Sequence, residues 1–200
     1  IVGANGQTLT VNQAGNYYVV VTDNLGCTGT SGPVMVNVTP PPTAYAGMDQ
    51  IICPGQSATL TATGGSNYLW SNGATTQSIT VSPDSATYYS VVVTNPGCSE
   101  TATDTVLVDV APLPIAAGHA SEDPTLGNPV NFTDVSGDNT IVSWNWDFGY
   151  TGGIGTGPNP PCFVYPGPPL NPSYDISLVV IDQNNCSDTA VRNVTVNEVP

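Results

Sequence analysis

The sequence predicts an all-β chain of small tandem modules, and three observations carry that prediction. The first is composition. Among 200 residues, 21 are Gly and 19 are Pro, while Lys and Arg together number 1. Thr, Val, Ser and Asn are abundant, a set that favours strands and turns over helices. The second is alternation: apolar and polar residues take turns in several segments, the period-2 signature of a half-buried strand. The third is internal repetition. Val19-Val20-Val21-Thr22-Asp23-Asn24-Leu25-Gly26-Cys27, Val91-Val92-Val93-Thr94-Asn95-Pro96-Gly97-Cys98 and Leu178-Val179-Val180-Ile181-Asp182-Gln183-Asn184-Asn185-Cys186 each run strand, Asp or Asn, turn, Cys.

Taken in order, the elements of each repeat have a physical reason. Tyr17/Val19/Val21, Tyr89/Val91/Val93 and Ile176/Leu178/Val180 occupy equivalent alternating positions and should share one sheet face. The following turns carry Gly or Asn where a positive φ is needed. Final strands follow at Val34/Val36/Val38, Val106/Val108/Val110 and Val194/Val196. Proline marks the seams: Pro40-Pro41-Pro42 and Ala111-Pro112-Leu113-Pro114 are short, semi-rigid spacers. Boundaries near residues 40 and 111 give modules 1–40, 41–111 and 112–200. The last two, of about 70 and about 90 residues, suit small sandwiches. The first matches only the back half of the middle module. Its front half is expected upstream or from another chain, because an isolated half-sandwich is not stable alone.

Charge excludes several functions. One cation against 15 acidic residues gives a formal net charge of −14, so neither a nucleic-acid backbone nor an anionic membrane surface is a fitting partner. No segment reaches the ~20 consecutive apolar residues of a spanning helix, so membrane insertion is not expected. Disorder is not expected either, because charge is sparse and the apolar residues alternate. A single His and no Cys-x-x-Cys spacing fail to complete a common zinc set. Five cysteines in small β modules point instead to disulfides and an extracellular or cell-surface location. The chain starts at Ile1 with no signal peptide, as a mature piece or a fragment of a longer product would.

The middle module carries Ala46-Gly47-Met48-Asp49, Ile52-Cys53-Pro54-Gly55-Gln56-Ser57, Thr59-Leu60-Thr61-Ala62, Tyr68-Leu69-Trp70-Ser71-Asn72-Gly73 and Gly97-Cys98-Ser99. Pro54-Gly55 is a turn before a strand, Tyr68 and Trp70 share parity, and Asn72-Gly73 is the strongest short hairpin signal in the chain. Together these motifs resemble the immunoglobulin-like repeats of very large secreted Bacteroidota surface proteins, of adhesin or gliding-motility type. The last module carries Val130-Asn131-Phe132-Thr133, the run Ser143-Trp144-Asn145-Trp146-Asp147-Phe148-Gly149, Tyr165, and Tyr174 through Asp182. It resembles the PKD domain, another immunoglobulin-like sandwich found in such proteins. It departs from that pattern at Tyr150-Thr151, at Phe163 and in a proline-rich insertion over 166–173. These departures touch loops more than core.

Within this organisation Cys53 is expected to pair with Cys98, closing a loop of about 45 residues worth ~4 kcal/mol on the chain-entropy model. Cys162 is expected to pair with Cys186. Cys27 is left without a partner inside the chain, and no cation sits near it in sequence to stabilise a thiolate. His119 has no nucleophile or orienting carboxylate in a recognisable pattern, and it reads as a strand residue. Catalytic residues are not expected. No resident cofactor is expected, although Ca²⁺ has candidate ligands in Asp49, Asp109, Glu122 and Asp123 near the seams and in Asp134 and Asp138 about a turn. Asp-x-Asp-x-Asp does not occur, and turn capping explains these residues equally well. Asp84-Ser85-Ala86, Asp104-Thr105-Val106 and Asp188-Thr189-Ala190 resemble the O-glycosylation pattern of exported Bacteroidota proteins, which would place glycans on Ser85, Thr105 and Thr189.

The expected function is therefore non-enzymatic: a structural or adhesive stalk or filament segment of a large bacterial surface protein. Its partners are neighbouring modules or identical chains. One alternative is a carbohydrate-binding accessory region of a secreted hydrolase, with Trp144 or Trp146, Tyr150 and Tyr165 as the aromatic candidates for surface glycans. Another is a self-assembling filament subunit whose half-module is completed by a neighbour. The near-absence of Lys and Arg also predicts resistance to trypsin-type proteases.

Overall fold

The computed structural model describes residues 6–121, 124–137, 140–166 and 173–197. These residues form strands and no helix. In chain order the strands are β1 (Gly15–Tyr17), β2 (Val20–Thr22), β3 (Thr28–Thr30), β4 (Val34–Val36), β5 (Gln50–Ile52) and β6 (Ala58–Thr61). There follow β7 (Asn67–Trp70), β8 (Ser78–Val81), β9 (Thr87–Thr94), β10 (Thr101–Val110), β11 (Gly118–Ala120) and β12 (Pro129–Val130). The last six are β13 (Phe132–Asp134), β14 (Ile141–Asp147), β15 (Ile154–Thr156), β16 (Phe163–Val164), β17 (Ser173–Asp182) and β18 (Ser187–Thr195). The all-β class that composition and alternation predict is the one observed. The chain forms two compact units. The first comprises Ile1–Ala46, Thr61–Gln77 and Ser90–Thr105, and the second Gly47–Leu60, Ser78–Tyr89 and Val106–Pro200.

In the first unit, β1 pairs antiparallel with β4, with Tyr17 opposite Val34. Next to that pair in sequence, β2 pairs with β3. The turn between β2 and β3 closes on Asp23, whose N–H donates to the Cys27 carbonyl at 2.9 Å. Its Oδ1 accepts the N–H groups of Leu25 and Cys27 at 2.8 and 2.9 Å. Gly26 supplies the left-handed residue of that turn (φ +83°). Further on, β7 pairs with β9, and Trp70 is buried with its indole N–H on the Thr76 carbonyl at 3.0 Å. The Asn72-Gly73 turn forms as its sequence predicts: Gly73 has φ +86° and its N–H donates to the Trp70 carbonyl.

In the second unit, β5 pairs with β10 in parallel, Ile52 standing opposite Val110. Strands β6 and β8 pair with each other and bury alternate residues, among them Leu60, Ile79 and Val81. The described residues between 118 and 197 make a sandwich: a sheet of order β15-β14-β17-β18 and the smaller pairs β11-β13 and β12-β16. Its core gathers Phe132, Trp146, Phe148, Tyr165, Ile176 and Leu178 with Val130, Val180, Val194 and Val196. Phe132 stacks on Phe148 at 4.3 Å and Tyr165 on Tyr174 at 4.2 Å. Each such ring removes about 150–250 Å² of surface from water. A register shift between Ile141 and Ser143 lets an odd-numbered Ile141 and an even-numbered Trp146 both turn inward.

Candidate functional site

Among the described residues no group of three or more His, Cys, Asp or Glu could hold a metal ion. The feature that most constrains what the chain can do is covalent. Cys53 is bonded to Cys186, with Cα atoms 5.5 Å apart. The bond is buried with Ala111, the first residue of the second proline seam. It therefore ties the segment 41–111 to the segment 112–200, at the point where the chain passes from one to the other.

This corrects the expected pairings Cys53–Cys98 and Cys162–Cys186: Cys98 and Cys162 carry no disulfide, nor does Cys27. The parallel pairing of β5 with β10 is the reason. It sets Ile52 beside Val110, and the Ile52 carbonyl accepts the Ala111 N–H at 2.9 Å, so Cys53 lies past the C-terminal end of β10. Cys98 precedes β10, whose ten residues span roughly 33 Å of strand. A disulfide requires Cα atoms within about 7 Å. Cys162 is exposed just ahead of β16, a strand paired with β12 and not with β17 or β18.

Cys186 is presented by the β17–β18 hairpin turn. Asp182 is 3% exposed and is the one buried charged or polar residue among those described. Its Oδ1 accepts the N–H groups of Asn184 and Cys186 at 2.9 and 2.8 Å, and its own N–H donates to the Cys186 carbonyl. Asn185 takes the left-handed conformation at φ +64°, as Asn tolerates. Sequence reasoning did not single out Asp182. The signal was present in the repeat, because Asp23 makes the same three bonds to its own turn. What sequence could not show is that one of these turns is buried against a disulfide while the other is exposed.

A second pair of carboxylates also repeats. Asp104 Oδ2 accepts the Ala46 N–H at 2.8 Å, and Asp188 Oδ2 accepts the Ala116 N–H at 2.9 Å. Both belong to Asp-Thr motifs read as glycosylation patterns. Each carboxylate fastens the extended segment just ahead of a strand, β5 for Asp104 and β11 for Asp188, while Thr105 and Thr189, like Ser85 in the third motif, are exposed. Of the calcium candidates, Asp49 accepts the Leu107 N–H, Asp109 the Val110 N–H, and Asp134 the Ser136 N–H and the Trp144 indole. Glu122, Asp123 and Asp138 lie outside the described residues. His119 is half-buried in β11 opposite Thr133.

The aromatic candidates for a glycan platform are mostly interior. Tyr165 is fully buried, and its hydroxyl donates to the Phe148 carbonyl at 2.7 Å. Burial, with Tyr174 and Asp147 adding, pushes its pKa up to about 12. Trp146 is 3% exposed and donates to the Gly157 carbonyl. Trp144 is partly buried and donates to Asp134 Oδ2 at 2.7 Å. Tyr150 alone of the four is exposed, and it leans on Phe163 and Tyr174.

No protein-family model matches the chain, and no curated protein matches it. Among solved structures it is similar to a Ca²⁺-stabilized adhesin with which an Antarctic bacterium reaches out and binds ice. That likeness has TM-score 0.50 and 13% identity, over 93% of this chain and 57% of that one. It is also similar to the PKD1 domain of the Vibrio cholerae metalloprotease PrtV, at 28% identity and TM-score 0.35, over 42% of this chain and 98% of that one. The PKD1 domain of Vibrio anguillarum Epp gives 26% identity and TM-score 0.36, over 44% and 96%. The likeness at TM-score 0.50 bears on fold alone, and the chain is all-β among its described residues.

Proposed function

We propose that the chain is a non-enzymatic, load-bearing segment of a large extracellular bacterial protein, a stalk that positions adhesive or binding modules away from a surface. The observation that carries this reading is the Cys53–Cys186 bond across the second seam. A linker between independent binding domains gains nothing from such a staple, whereas a stalk under tension does, because the bond bypasses the seam and most of the fold. Buried disulfides also fit an oxidising, exported setting. The boundaries near residues 40 and 111, a Bacteroidota source and O-linked glycans on the exposed Ser85, Thr105 and Thr189 belong to the same proposal. The partners it implies are neighbouring modules and identical chains. The carbohydrate-binding alternative is weaker, because Trp146 and Tyr165 are core residues and Trp144 is committed to Asp134.

Single-molecule stretching tests the load-bearing reading. The bonded cysteines are 133 residues apart in a chain of 200, which leaves about 67 residues free to extend. At ~3.5 Å per residue, the oxidised chain should reach roughly 230 Å and the reduced chain roughly 700 Å. An oxidised chain that stretches to the reduced length sinks the reading.

A further inference from the structure

Beyond the stalk reading, the outer edge of β18 is built to take another strand. β18 is nine residues long and ends the sheet of order β15-β14-β17-β18. The hairpin fixes which of its backbone groups point away from β17. The Asp182 N–H donates to the Cys186 carbonyl, and Val180 stands opposite Asp188. Even-numbered residues therefore exchange bonds with β17 and odd-numbered ones face outward. Asn197, also odd, agrees: its N–H donates to the Pro124 carbonyl and its carbonyl accepts the Leu126 N–H. Between 187 and 193 no described residue makes a backbone bond to this edge. Ser187, Thr189, Val191 and Asn193 thus present open N–H and C=O groups, a template for strand addition. The opposite edge of the sheet, β15, has only three residues.

Charge selects the occupant and its register. β18 carries Asp188 and Arg192, the chain's one basic residue of the Lys and Arg type, and their equal parity puts both on one face. Against a second β18, odd residues must meet odd residues, so an antiparallel two-fold pairing is centred on a single residue. Centred on Asp188 or on Arg192, it sets like charges opposite each other. Centred on Thr189 or Val191, it sets both charges against uncharged residues. Centred on Ala190, it sets Asp188 of each copy opposite Arg192 of the other, Thr189 opposite Val191, and Ser187 opposite Asn193. Opposite charges and β-branched side chains directly across a ladder stabilise it. Both charges are available: Asp188 holds the Ala116 N–H through Oδ2, which leaves Oδ1, and the exposed Arg192 borders a hollow of about 150 Å³ with Ala120, Ser121 and Pro124. The stretch so paired, 187–193, stops short of Asn197 at one end and of the 182–186 turn at the other. We infer that the outer edge of β18 is a self-association site, at which two copies pair antiparallel about Ala190 and join their four-stranded sheets into one. The same edge on both partners makes the contact isologous, so it closes as a pair.

Sedimentation of the full 200-residue chain over micromolar to hundred-micromolar concentration tests this. Cys27→Ser, Cys98→Ser and Cys162→Ser are included so that no free thiol links two chains while Cys53–Cys186 stays oxidised. A reversible dimer is expected. Val191→Pro removes an outward N–H and no bond to β17, and should weaken the dimer at least a hundredfold. Arg192→Asp puts two like-charge pairs where two opposite pairs stood and should weaken it at least tenfold. Met48→Asp, at a side chain 78% exposed in the segment before β5, should leave it unchanged. Cross-linking reads the register and serves even where Val191→Pro does not fold. Ala190 meets its own copy with Cα atoms about 4.5 Å apart, within disulfide reach. Ala190→Cys should link two chains under mild oxidation. Thr195→Cys should not, because its two copies stand roughly 33 Å apart along the ladder. A monomer throughout, a folded Val191→Pro chain that dimerises as before, or Thr195→Cys linking as fast as Ala190→Cys overturns the inference. None of these outcomes depends on how a chain behaves when stretched, so this inference and the stalk reading fail separately.

Discussion

Removing the Cys53–Cys186 bond should destabilise the second unit by about 5 kcal/mol. The perturbation is the double substitution Cys53→Ala and Cys186→Ala, chosen because both sulfurs are buried (6% and 1% exposed) beside Ala111 and a hydroxyl there would lack a partner. The magnitude follows from a closed loop of 133 residues, which on the chain-entropy model restricts the unfolded state by about 5 kcal/mol. Urea unfolding followed by tryptophan fluorescence is the assay, since Trp144 and Trp146 lie in that unit. With a slope near 2 kcal/mol/M, the midpoint should fall by roughly 2 M or more. The slope itself should rise, because the unlinked unfolded chain exposes more surface. Cys98→Ser is the control and should leave the midpoint nearly unmoved. A Cys53–Cys98 loop would give about 4 kcal/mol, too close to tell apart by stability alone. Peptic mapping at low pH, where thiols do not exchange, must therefore find Cys53 joined to Cys186. A Cys53–Cys98 peptide, or a midpoint shift under about 0.4 M on losing Cys53 and Cys186, refutes the reasoning.

Three further outcomes are expected. Asp182→Ala leaves two buried N–H groups unmet, those of Asn184 and Cys186, and should cost about 2–4 kcal/mol. The same change at the exposed Asp23 should cost about 1 kcal/mol or less, and chemical denaturation of the two variants measures the difference. Gly149→Ala forces a side chain onto φ +70° with its Cβ 2.5 Å from the Asp175 carbonyl oxygen. It should lower stability well beyond Gly152→Ala, where φ is +78° but no atom lies within 4 Å and only the ~1–2 kcal/mol left-handed cost applies. Finally, Tyr165 is an acid whose pKa in the folded chain is raised from 10.0 to about 12, so the folded state binds its proton more tightly than the unfolded state does. Its contribution is intact below pH 10 and is lost as pH climbs from 10 towards 12. Tyr165→Phe should flatten that part of the pH–stability curve, and a curve unchanged by the substitution contradicts the assignment.

Period and parity made the repeated strands legible. In β17 the alternating Ile176, Leu178 and Val180 are buried together as one face requires, and the Asn72-Gly73 turn is where its residues demand. Parity fails where the ladder is irregular: the shift between Ile141 and Ser143 changes which face an odd residue meets, and no residue type announces it. The disulfide failed for a different reason. Sequence separation suggested that a cysteine at the start of a module finds one near its end. Whether a first strand runs parallel or antiparallel to the last decides which end of that module Cys53 occupies, and that choice is made by packing at a distance of 58 residues or more, the span of the Asp49–Leu107 bond that sets β5 beside β10. Likewise Asp23 and Asp182 build one turn from one local pattern. Local residues determine the turn, while its burial depends on what lies across from it.

That division between local form and distant cover also explains how a repeat can change its role without changing its strands. The hairpin that ends each repeat is specified by a dozen alternating residues and an Asp- or Asn-led turn. In the last repeat its face is filled by Trp146 and Phe132 and its turn is bonded to Cys53. In the first, the same face carries four valines more than half exposed and the turn carries an unbonded, exposed Cys27. In the last repeat the hairpin is an internal joint, because both the cover and the partner cysteine are supplied from within the chain.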